Sequence, residues 1–530
     1  MFSAELLKLL DQFDVISFDV FDTLLVRKQV TPSLLFADIE KRCKRKGFAR
    51  ARMCAERKIS RAFDRKGVGE TSLDEIYAKI PHFADLQKVE LESEFEGLLA
   101  NQEIVDVWNR AKALGKRRVI VSDMYLPRSF VEARLRENGI DGWDGFFISS
   151  ERKVRKSTGK LFKIMLDEMG VDPCRVLHIG DNPYSDSYQA NEAGMVAYLY
   201  SKDEKDSALD SVLCPQIQWS KYLRDKLEAT CASYWTKVGY MLGGVLGYAY
   251  VRYVGERAKT LGLTRLLLVM RDGYHLKGIF ELLYPDLRVE CIFAPRRLLA
   301  KGGSVGDEYR RYFQSLGILD SDKVGVVDLT TSHFSSLRLV EQVLGRQVYA
   351  FHLFVFSRRI KKLPDRVQAM YHARASSIVF DLLCEYLFTA PMPAIVGVRD
   401  GSPVHDSADS FYDRYKMAVC SDVGRGVHAS VAALRAGGAE ISKTELIDWM
   451  EAFVARMTRR DMAEFSLVRE APGISYRNWN PVLATRRQIP LVRISRRIVL
   501  SYAFSVRGMK RYVTFYLVGR FPLFKCRLPF

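Results

Sequence analysis

The 530-residue sequence lacks the features that mark several classes of protein. Its nine cysteines are scattered and include no Cys-x-x-Cys pair. This pattern argues against a disulfide framework or a structural zinc site and indicates a reducing compartment. Residues 1–14 contain acidic side chains and no continuous apolar core, which is not the pattern of a signal peptide. The sequence therefore predicts a cytoplasmic protein.

The sequence also has little that could cross a membrane. Its most hydrophobic stretch, residues 237–253, is shorter than the roughly 20 residues that a transmembrane helix needs. Gly239, Gly243 and Gly247 lie at helical spacing within it, a pattern of close helix packing. We predict that this stretch forms a buried helix.

The chain is too long for a single core, and composition suggests where it divides. Residues 201–207 form a polar linker. We predict an N-terminal domain over residues 1–205, a second domain over 206–470 and a distinct tail over 471–530. The net charge of +18 indicates an anionic partner.

Polar side chains follow several short apolar runs of the N-terminal domain. Such runs predict buried strands, and ligands of open α/β sheets bind outside the carboxyl ends of the strands. The polar residues at these ends are, in chain order, Asp19, Ser122, Lys156 and the pair Asp181 and Asp186.

This order of residues resembles the four motifs of the haloacid dehalogenase (HAD) superfamily, over residues 10 to about 205. The resemblance implies an α/β fold, with a Rossmann-like parallel sheet and a helical cap inserted after the first motif. Residues 31–113 read as helical and correspond to that cap. Cap residues 41–66 are rich in lysine and arginine, which form either a solvated helix face or contacts to an acidic substrate.

By the same resemblance, Asp19 is a nucleophile that forms an aspartyl-phosphate. Asp19, the backbone carbonyl of Phe21, Asp181 and Asp186 would bind Mg²⁺, which prefers oxygen ligands. Ser122 would donate a hydrogen bond to the phosphoryl group, and Lys156 would neutralise its charge.

One position departs from the HAD phosphatase pattern. Those enzymes usually carry an acid/base Asp two residues after the nucleophile, where this chain has Phe21, and Asp22 comes one residue too late. Dehalogenases also place an aromatic residue there, but they usually lack the acidic pair that this chain keeps. General acid–base help contributes roughly 10²–10⁴-fold to a rate, so its loss would leave a slow phosphatase or a binding module.

Strands alternating with helices predict a second parallel α/β sheet in residues 206–470. Polar residues follow its predicted strands and could line a second crevice or form ordinary caps and ion pairs. They are Arg271, Asp272, Arg296, Arg297, Asp328 and His333.

The two-domain arrangement also resembles predicted HAD hydrolases encoded among bacterial surface-polysaccharide genes. The segments that carry this resemblance are residues 18–25 and the Arg-Asp-Gly-Tyr of residues 271–274. It implies a phosphorylated sugar or glycan substrate and polysaccharide-assembly proteins as partners. The chain departs from that group around Pro295 and after Asp328, which puts a shared second activity in doubt.

The tail has no acidic residue after Glu470, but twelve lysines and arginines interleaved with aromatic residues. Spacing from Pro490 onward suggests a helix with Leu491, Ile494, Ile498 and Tyr502 on one side. Residues 486–530 therefore suggest a segment on an anionic membrane surface. We favour this over single-stranded nucleic acid; packing on the protein body is the third alternative.

Three functions remain open from the sequence. The first is a Mg²⁺-dependent phosphohydrolase of a phosphorylated sugar or glycan intermediate near the inner membrane. The second is a weakly catalytic phosphate-binding scaffold, because Phe21 replaces the acid. The third is cleavage of a carbon–phosphorus or carbon–halogen bond, which does not need that acid.

Overall fold

The structure, a computed structural model, groups the chain into two compact units. Unit 1 comprises Met1–Lys205 and Met462–Leu467, and unit 2 comprises Asp206–Asp461 and Val468–Phe530. The structure describes the chain except for residues 1–3, 28–31, 67–68, 201–208, 210–217, 228–232, 271, 295–306, 332–333, 357–361, 374–385, 394, 400–401, 406–410, 457, 459–460, 462–463, 466, 471–479, 482–490, 494–497, 506–509, 518–520 and 528–530.

Unit 1 is built on a five-stranded parallel sheet with the order β5-β4-β1-β6-β7. Strands β2 and β3 pair antiparallel in a separate ribbon. The strands are β1 (Val15–Phe18), β2 (Leu25–Arg27), β3 (Leu98–Ala100), β4 (Arg117–Ser122), β5 (Gly145–Ile148), β6 (Val176–Gly180) and β7 (Val196–Leu199).

The strands β1, β6 and β7 are buried along their whole length, because parallel sheets are covered on both faces and their strands become near-continuous apolar runs. The helices of unit 1 are α1 (Ala4–Leu10), α2 (Pro32–Arg42), α3 (Phe48–Lys66), α4 (Leu73–Tyr77), α5 (Leu86–Gly97), α6 (Gln102–Ala113), α7 (Arg128–Glu137), α8 (Ser149–Arg152), α9 (Lys160–Met169) and α10 (Gln189–Glu192).

The insertion after the first motif is the segment between the two ribbon strands. Helices α2 to α5 lie between β2 and β3. Helix α6, within the predicted cap range of 31–113, instead contacts β4, and its Trp108 ring lies 5.2 Å from the ring of Phe18 on β1. The helical insertion over α2 to α5 is therefore shorter than the predicted cap, and α6 covers the sheet.

Unit 2 contains a second five-stranded parallel sheet, with the order β12-β11-β10-β8-β9. The predicted α/β fold with a second parallel sheet is thus confirmed. Its strands are β8 (Arg265–Met270), β9 (Arg288–Phe293), β10 (Val324–Thr331), β11 (Tyr349–Phe356) and β12 (Val367–Ala373), followed by the hairpin strands β13 (Ile395–Arg399) and β14 (Ser402–His405).

The helices of unit 2 include the predicted buried helix over residues 237–253. The helices are α11 (Gln218–Leu227), α12 (Tyr234–Val238), α13 (Gly244–Thr260), α14 (Tyr274–Leu283), α15 (Asp307–Ser315), α16 (Ser335–Leu344), α17 (Phe411–Ala436) and α18 (Lys443–Arg456), with a π-helical turn at Gly239–Gly243 joining α12 to α13.

Glycines bring α12, the π turn and α17 into backbone contact. A Cβ on Gly239 would lie 2.0 Å from the carbonyl oxygen of Val423, and one on Gly426 would lie 2.0 Å from that of Thr236. No residue with a side chain fits at either position. The glycine spacing serves close helix packing inside unit 2, so the predicted buried helix is confirmed.

The described residues of the C-terminal segment form β-strands, so the helix predicted from Pro490 onward is wrong. Its strands form two antiparallel sheets, and their runs of β-branched and aromatic residues favour strands over a helix. The strands are β15 (Arg469–Glu470), β16 (Asn480–Pro481), β17 (Leu491–Arg493), β18 (Ile498–Ser505), β19 (Lys510–Leu517) and β20 (Phe521–Arg527).

Within the described part of the chain, no helix is long and apolar enough to cross a membrane.

Candidate active site

Asp19 lies immediately after β1, the central strand of the unit 1 sheet. Its backbone N–H donates to the carbonyl oxygen of Ile179 on β6 at 2.9 Å, which fixes the turn against the neighbouring strand. Thr23 Oγ1 donates to Asp19 Oδ2 at 3.4 Å. The residue is 6% exposed. The sheet therefore holds this carboxylate in one orientation at its carboxyl edge.

Lys156 joins two of the predicted carboxylates. It begins a short 3₁₀ turn, Lys156–Thr158, and its side chain is buried. Its Nζ donates to Asp19 Oδ1 at 2.6 Å and to Asp186 Oδ1 at 2.5 Å. Its backbone N–H donates to Asp123 Oδ1 at 2.7 Å, which fixes the turn beside the end of β4.

Asp186 is held by the loop that follows β6. Its Oδ2 accepts the backbone N–H of Asn182 at 2.9 Å, and Asn182 caps the π-helical turn Pro183–Tyr188 with its own side chain. A Cβ on Gly180 would lie 2.5 Å from the Cβ of Asp186. Only glycine at this strand end lets the Asp186 side chain pack against the sheet.

Asp19, Asp181 and Asp186 form a cluster that we call the acidic cluster. One carboxylate oxygen of each lies within 4.8 Å of the others. Among the described residues, no other group of three potential metal-binding side chains is found. Three carboxylates at this spacing fit a hard divalent cation such as Mg²⁺, because it prefers oxygen ligands.

Burial perturbs the charges of the acidic cluster. Burial and repulsion from neighbouring carboxylates raise the pKa of Asp19 well above its usual value. Burial, together with the charges of Asp186 and Asp22, raises the pKa of Asp181 to about 7. One buried lysine faces three carboxylates, and this excess of negative charge is the electrostatic reason that the cluster suits a divalent cation.

Asp186 and Lys156 behave as a buried ion pair. Burial alone would raise the pKa of Asp186, but the positive charge of Lys156 and the hydrogen bond from His178 outweigh it and lower that pKa below its usual value. Burial would lower the pKa of Lys156, yet Asp186 and Asp19 raise it above its usual value. Lys156 therefore stays protonated beside Asp19.

The sequence analysis did not identify two polar residues that lie next to the acidic cluster. His178 Nε2 lies 3.3 Å from Asp186 Oδ1, and its Nδ1 lies 2.9 Å from Ser17 Oγ. Burial lowers the pKa of His178. Both residues lie inside apolar strands, where nothing in the local sequence marks a polar side chain as part of a site. Ser17 on β1 and His178 on β6 occupy paired positions of the sheet.

Ser122 and Asp123 lie at the end of β4, beside β1. Ser122 is fully buried, and its Oγ has no hydrogen-bond partner among the described residues. Burial raises the pKa of Asp123 to about 6, although Lys156 acts against this shift. A buried hydroxyl without a partner costs free energy unless a ligand satisfies it.

Phe21 lies two residues after Asp19, where the sequence resemblance implies an acid/base residue in HAD phosphatases. Its side chain is 8% exposed, and the guanidinium carbon of Arg27 lies 4.8 Å from its ring centroid. Asp22, with φ at 59°, has an exposed carboxylate 3.5 Å from Arg27 NH1. Position 21 therefore offers no side-chain proton donor.

The basic residues of the insertion include several that are already paired. Arg52 is fully buried and binds both carboxylate oxygens of Glu90, at 2.8 Å from Nε and 2.7 Å from NH2. Arg45 NH1 donates to Asp85 at 2.5 Å. Arg52 therefore stabilises the insertion itself and is not a candidate for substrate contact, whereas the Arg45 pair is exposed on the surface.

The predicted second site is described only in part. Arg271, Arg296, Arg297 and His333 lie outside the described residues. Asp272 accepts a hydrogen bond from Thr389 Oγ1 at 3.3 Å. Asp328 does not end a strand as predicted, because β10 continues to Thr331. The second site stays a prediction.

Comparison with known protein families matches one part of the chain. The family of haloacid dehalogenase-like hydrolases matches residues 13–194. The chain contains a HAD-like hydrolase domain. This coarser part of the predicted resemblance is confirmed. No curated protein matches the chain.

Three solved structures illustrate the similarity. An L-2-haloacid dehalogenase from Xanthobacter autotrophicus is 13% identical, with 36% of this chain and 79% of that chain covered and a TM-score of 0.28. A HAD family enzyme from Bacteroides thetaiotaomicron is 14% identical, with 36% and 96% covered and a TM-score of 0.29. The putative HAD-hydrolase YfnB from Bacillus subtilis, bound to magnesium, is 19% identical, with 37% and 91% covered and a TM-score of 0.29.

Proposed function

We propose that the HAD-like domain is a Mg²⁺-dependent phosphohydrolase that works through an aspartyl-phosphate on Asp19. One observation carries the proposal. The Asp19 carboxylate stands at the end of the central strand, 2.6 Å from Lys156 Nζ and in one cluster with Asp181 and Asp186. Phosphoryl transfer needs a nucleophile, positive charge near the equatorial oxygens and an in-line arrangement, and this site has groups for each.

Each residue of the site has a separate role in the proposed reaction. Asp19 Oδ2, the oxygen that does not contact Lys156, is the attacking atom. Ser122 Oγ donates its free hydrogen bond to a phosphoryl oxygen. Lys156 neutralises negative charge while its bond to Asp186 keeps it in place. Asp19, the Phe21 carbonyl, Asp181 and Asp186 would hold Mg²⁺, which when bound supplies further charge neutralisation and alignment.

Release of the leaving group is the weak step of this mechanism. Phe21 cannot protonate a leaving group or deprotonate water, and such help is worth roughly 10²–10⁴-fold. The domain therefore turns over slowly, or favours substrates whose leaving group needs no proton. The same observation supports a second candidate function, a phosphate-binding scaffold that retains the metal site with little turnover.

The substrate class and setting are proposals that rest on the sequence resemblance. They are a phosphorylated sugar or glycan intermediate of surface-polysaccharide synthesis, polysaccharide-assembly partners and attachment of residues 486–530 to an anionic membrane surface. Fractionation of cells that express the chain without residues 486–530 tests the attachment. Unchanged partitioning of the shortened chain would contradict it.

Phosphate release from a panel of sugar phosphates tests the proposed activity, with and without Mg²⁺. We expect metal-dependent release by the wild type and none by Asp19→Asn. The matched control is Asp14→Asn, which makes the same change at the other end of β1, where Asp14 pairs with Arg175 at 2.6 Å on the surface.

Three outcomes separate the candidates. Metal-dependent release lost only in Asp19→Asn supports the phosphohydrolase. Equal rates in Asp19→Asn and the wild type would refute the nucleophile assignment. No release from any substrate, with Mg²⁺ binding that Asp181→Asn weakens, would favour the scaffold.

A further inference from the structure

Unit 2 contains a cavity of about 530 Å³ that the proposed function does not use. Its volume falls within the roughly 300–1,000 Å³ of small-molecule sites. One wall is a face of α13, and the other is the segment that leads into α18, with Met370 of β12 between them. The lining residues used below are Tyr248, Arg252, Tyr253, Glu256, Arg257, Glu440, Ser442, Lys443 and Glu445.

Hydrogen bonds to backbone carbonyls fix the walls of this cavity. Tyr371 OH on β12 donates to the carbonyl of Lys443 at 2.7 Å, and Tyr253 OH donates to that of Ala369 at 2.8 Å. Tyr248 OH donates to the carbonyl of Ala439 at 3.1 Å. The cavity is therefore formed before any ligand binds, which reduces the ordering cost of binding.

Two cationic side chains lie close to one tyrosine ring in the cavity. The guanidinium carbon of Arg257 lies 3.7 Å from the ring centroid of Tyr253, and Lys443 Nζ lies 4.7 Å from it. Arg257 NH1 donates to the carbonyl oxygen of Tyr253 at 3.3 Å, but within the described part of the chain neither Arg257 nor Lys443 pairs with a carboxylate. Burial and the charge of Arg257 lower the pKa of Lys443, so the two cations repel each other.

Two of the three nearby carboxylates have other partners. Glu256 lies 3.6 Å from Arg252 NH2. Glu445 accepts the backbone N–H of Ser442 at 2.9 Å and so caps α18. Glu440, which is exposed, is the third. Arg257 and Lys443 thus face a preformed cavity and form no ion pair with any of these three carboxylates within the described part of the chain.

We propose that this cavity binds a phosphate monoester through Arg257 and Lys443. A phosphate monoester carries between one and two negative charges near neutral pH and can accept from both cations at once, and an arginine fork matches two phosphate oxygens. A carboxylate would compensate only one of the two charges. The remaining volume holds the organic part of the ligand against Tyr248 and Tyr253. This inference is independent of the function proposed for unit 1.

Calorimetric titration of the full chain in a metal chelator tests the proposal. Without metal, the acidic cluster of unit 1 repels phosphate, so binding reports on unit 2. The probes are inorganic phosphate, glucose 6-phosphate and phosphatidylcholine vesicles that contain phosphatidic acid. The last two distinguish a soluble from a lipid-borne monoester.

Lys443→Gln and Arg257→Gln should each weaken binding by about tenfold or more, because each removes a charged hydrogen-bond donor. The matched control is Lys259→Gln, on the same helix, where Nζ lies 5.0 Å from the ring centroid of Tyr284 and outside the cavity lining. It should bind as the wild type does.

Absence of Lys443-dependent binding for all three probes would overturn the proposal. So would an equal loss in Lys259→Gln, since that would mean a general effect of surface charge. Thermal melts of the variants verify folding. Failure of phosphate release in unit 1 leaves this test unaffected, because the titration measures binding without metal.

Discussion

The two parallel sheets of this chain have five strands each but use polar residues differently. In unit 1 the chain reverses direction across the sheet between β1 and β6, and Asp19 and Asp181 follow these two strands directly. In unit 2 the reversal falls between β8 and β10, where Asp272 comes shortly after β8 but Asp328 lies within β10. Only the first switch point, among described residues, assembles a candidate metal site.

Both units bury titratable groups. Unit 1 buries Asp19, Lys156 and Asp186, which are joined by short hydrogen bonds. Unit 2 buries His275 and His352, whose pKa values burial lowers to about 4, so both are neutral. Buried charge is not confined to the candidate site, because Arg52 pairs with Glu90 inside the insertion and the fully buried Arg265 of unit 2 lies 3.4 Å from Glu290.

Removing Lys156 should have the largest effect. In metal-free buffer, Lys156→Met leaves the buried carboxylates of Asp19 and Asp186 without their cation, and losing one partner of a buried pair costs about 3–5 kcal/mol. Hydrogen exchange of β1 and β4 peptides measures the loss. Lys153→Met is the control, because exposed Lys153 pairs with Glu75 at 3.2 Å on the surface. Equal stability of the two variants would contradict the account of the charge cluster.

Acid should destabilise unit 2 through its buried histidines. The unfolded histidine has a pKa of 6.5 and folded His352 one of about 4, so the unfolded state binds protons first. Stability is complete above pH 6.5 and falls as the pH drops toward 4, by roughly 3 kcal/mol per residue. Urea denaturation of His352→Leu should show less pH dependence than the wild type. The control His372→Leu, an exposed position on β12, should keep the wild-type slope, and equal slopes in all three would contradict the prediction.

Gly426→Ala should loosen unit 2 and leave unit 1 unchanged. The new Cβ would lie 2.0 Å from the carbonyl oxygen of Thr236, so α17 must shift, and overpacking costs about 1–3 kcal/mol. Hydrogen exchange of α12 and α17 peptides should speed up. Gly397→Ala is the control, because no atom lies within 4 Å of its added Cβ. Unchanged exchange in Gly426→Ala would refute the close helix contact.

Ser122→Ala should have the smallest effect on stability and a clear effect on activity. Its hydroxyl makes no hydrogen bond within the described chain, so we expect a change below about 1 kcal/mol in the free energy of unfolding. Loss of a hydrogen bond to a charged phosphoryl group should lower phosphate release by roughly 10–100-fold. Ser430→Ala, equally buried in unit 2, should keep full activity. A large loss of stability in Ser122→Ala would mean that this hydroxyl has a structural role.

The sequence predicted the parts of the site that a strand end makes visible. Asp19, Ser122 and Asp181 each follow a short apolar run, so the parallel-sheet rule alone brings them to one edge. His178 and Ser17 lie inside such runs, where only strand pairing reveals that they meet. Glycine is needed at position 180 because the Asp186 side chain packs against it. The spacing of the two residues in the sequence does not show this contact.

Local sequence patterns predicted the wrong structure where the pairing of β-strands determines it. Apolar residues from Leu491 to Tyr502 fit helical spacing, but the segment contains many β-branched residues and pairs with later strands. Strand formation there depends on pairing with the adjacent strands of the same sheet, which the helical spacing of apolar residues within one segment does not show. Strand β10 likewise continues past Asp328, because β11 pairs with it as far as Thr331.

Trapping of the covalent intermediate tests the central claim most directly. The full chain is incubated with Mg²⁺ and a phosphorylated substrate, quenched in acid and digested, and the peptides are examined by mass spectrometry. The account predicts a phosphoryl group on the peptide that contains Asp19, absent in Asp19→Asn and present in Asp14→Asn. Turnover with no phosphoryl group on that peptide, or with one on another residue, would contradict it.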